Sequence, residues 1–149
     1  MSHSEKRVCV IGLGRFGAGL ARHLAERFEV LVIDQDLDLV NEIADDVQRA
    51  ICVDAGDFTA LSAVVSSDFD EGIVAIGDSL ESSILSVLHL QRIGVTSIRA
   101  KANSRDHAEI LRAMNVDQIV FPEEEAAERL ALHMSNPNLL DFVPLARDF

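Results

Sequence analysis

The sequence predicts an α/β domain of the doubly wound kind, with six parallel strands in the order 3-2-1-4-5-6 and helices on both faces. Three observations predict it. Short runs rich in Val and Ile alternate with segments of helical period along nearly the whole chain. The first run leads directly into Gly12-Leu13-Gly14-Arg15-Phe16-Gly17, a glycine-rich turn followed by a helical pattern. The second run closes on a carboxylate, Asp34, where a Rossmann fold carries one.

The elements follow in order. Arg7–Ile11 reads as a strand apolar on both faces, and residues 18–27 as a helix with Leu20, Leu24 and Phe28 at helical spacing. Residues 29–33 form the second strand. Residues 37–47 form the second helix, with Leu39, Val40, Ile43 and Val47 on one side. A third strand spans 50–53, and Asp57 caps a third helix that runs to about Val65. The second half repeats the rhythm. A strand at 72–76 ends at Gly77, and a helix from Leu80 to Ile93 is closed by Gly94. A strand follows from Ser97 to Lys101, and Ser104 caps a helix to Met114. Residues 118–121 form a last strand ended by Pro122, and residues 123–133 a last helix.

Residues 1–135 therefore form the Rossmann unit. Residues 136–149 differ: Pro137 breaks the chain, and Leu139, Leu140, Phe142, Val143, Leu145 and Phe149 follow. This apolar tail has no complete element to bury it. It packs on another subunit, or the chain is the front of a longer protein.

Composition narrows the function. The chain has 149 residues, 48% of them hydrophobic and 26% charged, which suits one folded domain. A net charge of −12 argues against nucleic acid and against direct docking on anionic lipid. No apolar run is long enough for a membrane span, and Met1 to Lys6 lack the apolar core of an export signal. Cys9 and Cys52 lie in short apolar runs and read as two buried thiols in a reducing compartment. The expectation is a cytoplasmic protein.

The glycine turn has a specific mechanics. Gly12 permits the tight turn, Gly14 lets phosphate oxygens approach the backbone, and Gly17 lets the helix pack close to the sheet. The helix N-terminus then offers N–H groups and a partial positive charge. Asp34 suits ribose hydroxyls and would repel a 2′-phosphate; it can also cap the segment that starts at Gln35. Asp54 and Ala55, past the third strand, stand where an adenine would rest, and Ile76 and Gly77 leave room across the switch point. Arg15 adds a guanidinium to the loop, which suits ADP or ATP ahead of NAD(H). Lys101 either joins those phosphates or is a surface lysine.

Glu123, Glu124 and Glu125 suit the dipole of the last helix, or Glu123 contributes to an oxygen-ligand cation site. Zinc-ligand spacing is absent, and His3, His23, His89, His107 and His133 receive no role. No acid/base pair stands out, so the chain reads as a binding module and not an enzyme. The alternative is the nucleotide-binding fragment of an NAD-dependent oxidoreductase.

Several stretches together resemble one family. They are Val10-Ile11-Gly12-Leu13-Gly14-Arg15-Phe16-Gly17, Val32-Ile33-Asp34, Val53-Asp54-Ala55-Gly56-Asp57, Ile73-Val74-Ala75-Ile76-Gly77, Glu81-Ser82-Ser83, Ala100-Lys101-Ala102 and Val120-Phe121-Pro122-Glu123. The chain resembles the N-terminal RCK domain, also called KTN or TrkA-N, of bacterial potassium-uptake regulators of the KtrA/TrkA type. The resemblance implies a cytosolic subunit, peripheral at the inner face of the membrane, that gates a membrane potassium transporter. It implies homodimers or octameric rings, and ATP, ADP or NAD(H) as ligand. Gly12, Gly14, Arg15, Phe16 and Gly17 would then surround the phosphates, Asp34 and Gln35 the ribose, and Asp54 and Ala55 the adenine. Ile76 and Gly77 would lie across the switch point, Lys101 near the phosphates, and Glu123 would take part in a divalent-cation site between subunits. Such regulators continue into a C-terminal RCK subdomain. This chain stops at Phe149, about where that begins, so the expectation is a truncated or naturally split subunit.

Overall fold

The structure, a computed structural model, describes residues 6–138. Its strands are β1 (Arg7–Ile11), β2 (Glu29–Asp34), β3 (Arg49–Cys52), β4 (Glu71–Val74), β5 (Ser97–Lys101) and β6 (Gln118–Val120). Its helices are α1 (Arg15–Leu24), α2 (Leu37–Ile43), α3 (Phe58–Ser62), α4 (Leu80–Ile93), α5 (Arg105–Ala113) and α6 (Pro122–Ser135). The six strands form one sheet in the order β3-β2-β1-β4-β5-β6, every pairing parallel. This is the predicted doubly wound fold.

The chain steps outward from β1 to β3, then crosses back to lay β4 on the other side of β1. Val10 thus pairs with Val32 of β2 on one flank and with Ile73 of β4 on the other. At that reversal the two connecting loops leave in opposite directions and open a cleft at the carboxyl ends of the strands.

Alternation along β1 feeds two apolar layers. Val8 and Val10 pack with Ala21 of α1 and with Val40 and Ile43 of α2. Cys9 and Ile11 face the other layer, with Leu61 of α3, Val87 and Leu90 of α4, and Leu111 of α5. A central parallel strand covered on both faces must be apolar at every position, which is why the β1 run does not alternate in polarity. The polar termini of the helices are then satisfied locally. Asp36, Asp57, Ser79 and Ser104 cap α2, α3, α4 and α5 through their side chains, each worth about 1 kcal/mol. Gly94 closes α4 in the left-handed region at φ 108°, where a side chain would be strained.

Some boundaries differ from expectation. α1 begins at Arg15 and not at residue 18, so Arg15, Phe16 and Gly17 are already helical. α2 tightens into a 3₁₀ turn over Ala44–Asp46, and α3 stops at Ser62. Cys9 is buried, and burial pushes its thiol up to about 12. Cys52 is exposed, contrary to expectation: it ends the edge strand β3, and its thiol donates to the Gln35 carbonyl at 3.4 Å.

Among the described residues, no helix is long and apolar enough to cross a membrane. No residue of α6 is buried, and its Leu130 and Met134 are exposed. The apolar residues from Leu139 to Phe149 lie outside the described residues.

Candidate functional site

The cleft at the switch point has a volume of about 550 Å³. Its floor is the Gly12–Gly14 turn. Gly12 takes φ +100°, and an ideal Cβ there would stand 2.9 Å from the Ala75 carbonyl carbon and oxygen. The turn therefore lies directly against the backbone just past β4, and its other side is held by the bond from the Gly12 N–H to the Ile33 carbonyl, 2.9 Å.

Gly14 then starts α1 without any side-chain cap, and no acidic residue occupies the first turn. The N–H groups that α2, α3, α4 and α5 satisfy internally are in α1 left for something else. A helix N-terminus without a side-chain cap, opening into a cleft of this size, can accept an anionic group such as phosphate.

Asp34 stands beside it. One carboxylate oxygen accepts from the Leu13 N–H at 2.8 Å and the other from the Asp36 N–H at 2.9 Å. Each oxygen keeps a lone pair for a further donor, so the group is oriented for hydroxyls and not consumed by its own backbone. On the next strand connection, Asp54 accepts from the Gly56 N–H at 2.8 Å and fixes a tight turn that buries Ala55. Among the described residues the cleft is lined by four aspartates, Asp34, Asp36, Asp54 and Asp78, and by no Lys, Arg or His. Such a lining suits hydroxyl donors and repels negative charge everywhere except at the α1 end.

The structure brings together Gly12, Gly14, Asp34, Gln35, Asp54, Ala55, Ile76 and Gly77. It does not place Arg15, Phe16, Gly17, Lys101 or Glu123 on the lining. Arg15 is exposed at the first position of α1. Phe16 packs into the layer beneath α1 and α2, and Gly17 lies under the Gly12 carbonyl. Lys101 is not itself a lining residue, but its Nζ lies beside Gly77 at the cleft edge, 3.3 Å from where a Cβ on that glycine would stand, and 3.9 Å from a Glu123 carboxylate oxygen. No group of three or more His, Cys, Asp or Glu among the described residues converges on a cation position. Glu123 thus offers one carboxylate, already shared with an ammonium.

Sequence reasoning missed Asp36, Asp78, Ser79 and Ser82, which also line the cleft. Asp78 and Ser79 directly follow Gly77 at the switch point, a position that signals a wall residue. It also missed two buried histidines. Nδ1 of His107 accepts from the Asn103 N–H at 3.1 Å, so the ring proton sits on Nε2 and is donated to the Ser83 hydroxyl at 3.0 Å. His89 bonds the Ala55 carbonyl. Ser82, Ser86 and His89 recur at helical spacing, which could have flagged the polar stripe of α4.

Burial lowers the His107 pKa below its ordinary value. A second ring proton would also face the Asn103 N–H. The contribution of this histidine to stability is complete above its unfolded pKa of about 6.5 and is lost as the pH falls toward the depressed folded value. Urea unfolding between pH 7.5 and 5.0 should show stability falling by up to about 1.4 kcal/mol per pH unit below that point. In His107→Gln this slope should be reduced, and an identical slope would refute the assignment.

Residues 8–122 match the TrkA-N domain family. The chain is 38% identical over 145 residues to Ktr system potassium uptake protein C of Bacillus subtilis, a match covering 97% of this chain and 66% of that protein. It therefore spans slightly less than two thirds of that relative's length. Its fold is also that of the Shewanella denitrificans Kef CTD in AMP-bound form, with a TM-score of 0.70 and 20% identity over 88% of this chain and 82% of that one. The GsuK channel bound to NAD matches with a TM-score of 0.67 and 17% identity, over 78% of this chain and 21% of the channel chain.

Proposed function

The chain belongs to the TrkA-N domain family, and from that premise we propose that it is the nucleotide-sensing part of a regulator of membrane potassium uptake. The observation that carries the ligand class is the meeting of the uncapped α1 N-terminus with Asp34 in one cleft. Phosphate binds the first, ribose hydroxyls bind the second, and the Ala55 turn is the shelf for a purine. The ligand is an adenosine phosphate, ADP or ATP, or the same unit within NAD(H). AMP and NAD in structures of the same fold support the adenosine half of this reading.

ATP or ADP remains first choice through Arg15. Its exposed side chain at the mouth of α1 is free to fold over a terminal phosphate outside the cleft. Nucleotide exchange would then shift the population of two regulator conformations, by no more than the difference in affinity between them.

The partner is a membrane potassium transporter, reached as a homo-oligomer at the inner face of the membrane. A divalent cation at Glu123 would need further carboxylates from a second copy. The module is not itself catalytic. The similarity to a Ktr system potassium uptake protein supports this reading over that of an oxidoreductase fragment.

Calorimetry with ATP, ADP, AMP, NAD, NADH and NADPH tests the ligand. The ADP-containing ligands should bind and NADPH should be the weakest. Tightest binding by NADPH would overturn the role of Asp34, and heats of dilution for all six would overturn the site.

A further inference from the structure

We infer that His89 is a positioning residue for the nucleotide, holding the turn on which the adenine rests. This deepens the proposed adenine-nucleotide site and rests on it. His89 lies on α4, is 5% exposed, and its Nδ1 is 3.0 Å from the carbonyl oxygen of Ala55, itself 6% exposed. A carbonyl only accepts, so the proton is on Nδ1 and the ring donates.

The ring is held in place from the side. Phe58, at the start of α3, meets it edge-on with centroids 5.4 Å apart, and the Arg92 guanidinium lies 4.3 Å from the Phe58 centroid. Water is thus kept from a bond that joins residues 34 positions apart.

The other bonds of the Ala55 turn are its own. Asp54 accepts from the Gly56 N–H, the Asp57 N–H reaches the Asp54 carbonyl, and Asp57 caps α3. These shape the turn but do not anchor it to the far half of the domain. The His89 bond does. The same helix presents Ser82 to the opposite wall of the cleft, seven residues or about 10 Å along its axis. α4 therefore braces both walls, and their separation is set by one rigid element. Without the His89 donor, a buried carbonyl loses its partner and the turn swings toward water.

The test compares His89→Asn and His89→Gln in the full chain. The Asn amide nitrogen reaches roughly the place of Nδ1, and the Gln amide overshoots it. AMP and NAD affinities are measured by calorimetry, with circular dichroism and thermal melts as controls on folding. His89→Gln should weaken AMP about tenfold, and His89→Asn should restore it to within about threefold of the wild type.

His89→Phe, which keeps the ring and loses the donor, should match Gln. AMP affinity unchanged in His89→Gln, or equally weak in both amide variants, would overturn the inference while leaving the site intact. Unfolding of both amide variants would also overturn it, as a purely structural role. A wild-type chain that binds neither AMP nor NAD would overturn the site reading and the inference with it.

Discussion

Gly17→Ala is expected to cost the domain at least about 3 kcal/mol, enough to lower its melting temperature by about 10 °C or to prevent folding. An ideal Cβ at this position would stand 1.9 Å from the Gly12 carbonyl oxygen and 3.2 Å from Cβ of Ala75. The obstacle is backbone and has nowhere to retreat. Gly12 is pressed on the Ala75 carbonyl and its N–H is bonded to β2. α1 would have to lift from the sheet, taking the buried Ala21 out of its layer. Gly14→Ala is the control. Nothing lies within 4 Å of its Cβ, and its φ of −66° suits any residue. That variant should melt like the wild type and lose nucleotide, because its methyl group occupies the path of a phosphate to α1. Melting of Gly17→Ala within about 2 °C of the wild type would refute the argument.

Asp34→Ala should weaken nucleotide binding about 100-fold and also destabilise the protein by about 2 kcal/mol. The two effects have separate causes. The ribose loses a charged acceptor. The N–H groups of Leu13 and Asp36, both now bonded to this carboxylate, lose theirs. Asp34→Asn separates them, since one amide oxygen still accepts and the negative charge is gone. It should recover part of the stability, and the discrimination against NADPH should shrink because the 2′-phosphate no longer meets a carboxylate. Calorimetry and urea unfolding on the same three proteins report both quantities. Unaltered affinity in Asp34→Ala would remove the ribose from this end of the cleft.

The parallel sheet was legible because its signals are local and redundant. Apolar strands, punctuated helices and the glycine turn all point the same way. α4 and β5 fall where expected, since Ser79 and Gly94 bracket the helix with a cap at each end. The start of α1 was misread because the glycine motif looks like a loop, although its last three residues are helical. Cys52 was misread because an apolar run does not say whether its strand lies at an edge.

Candidates set by the turn and the strand ends, Gly12, Gly14, Asp34, Ala55 and Gly77, line one cleft because their positions follow from the topology alone. Side chains whose partners are distant in sequence do not follow in this way. The Lys101 ammonium lies between Gly77 and Glu123 of α6, and the roles of His89 and His107 exist only through Ala55, Ser83 and Asn103. Nothing adjacent to either histidine announces those contacts.

α6 is bound to the rest of the fold differently from the other helices. It buries no residue, and its first turn is closed by its own Glu125, which accepts from the Phe121 N–H at 3.1 Å. At its N-terminal turn the tie to the sheet is an ion pair, from Glu123 to the Lys101 ammonium of β5 at 3.9 Å. Salt screens such a partly exposed pair and leaves apolar burial untouched, so ionic strength bears on this end of the fold and not on its buried layers.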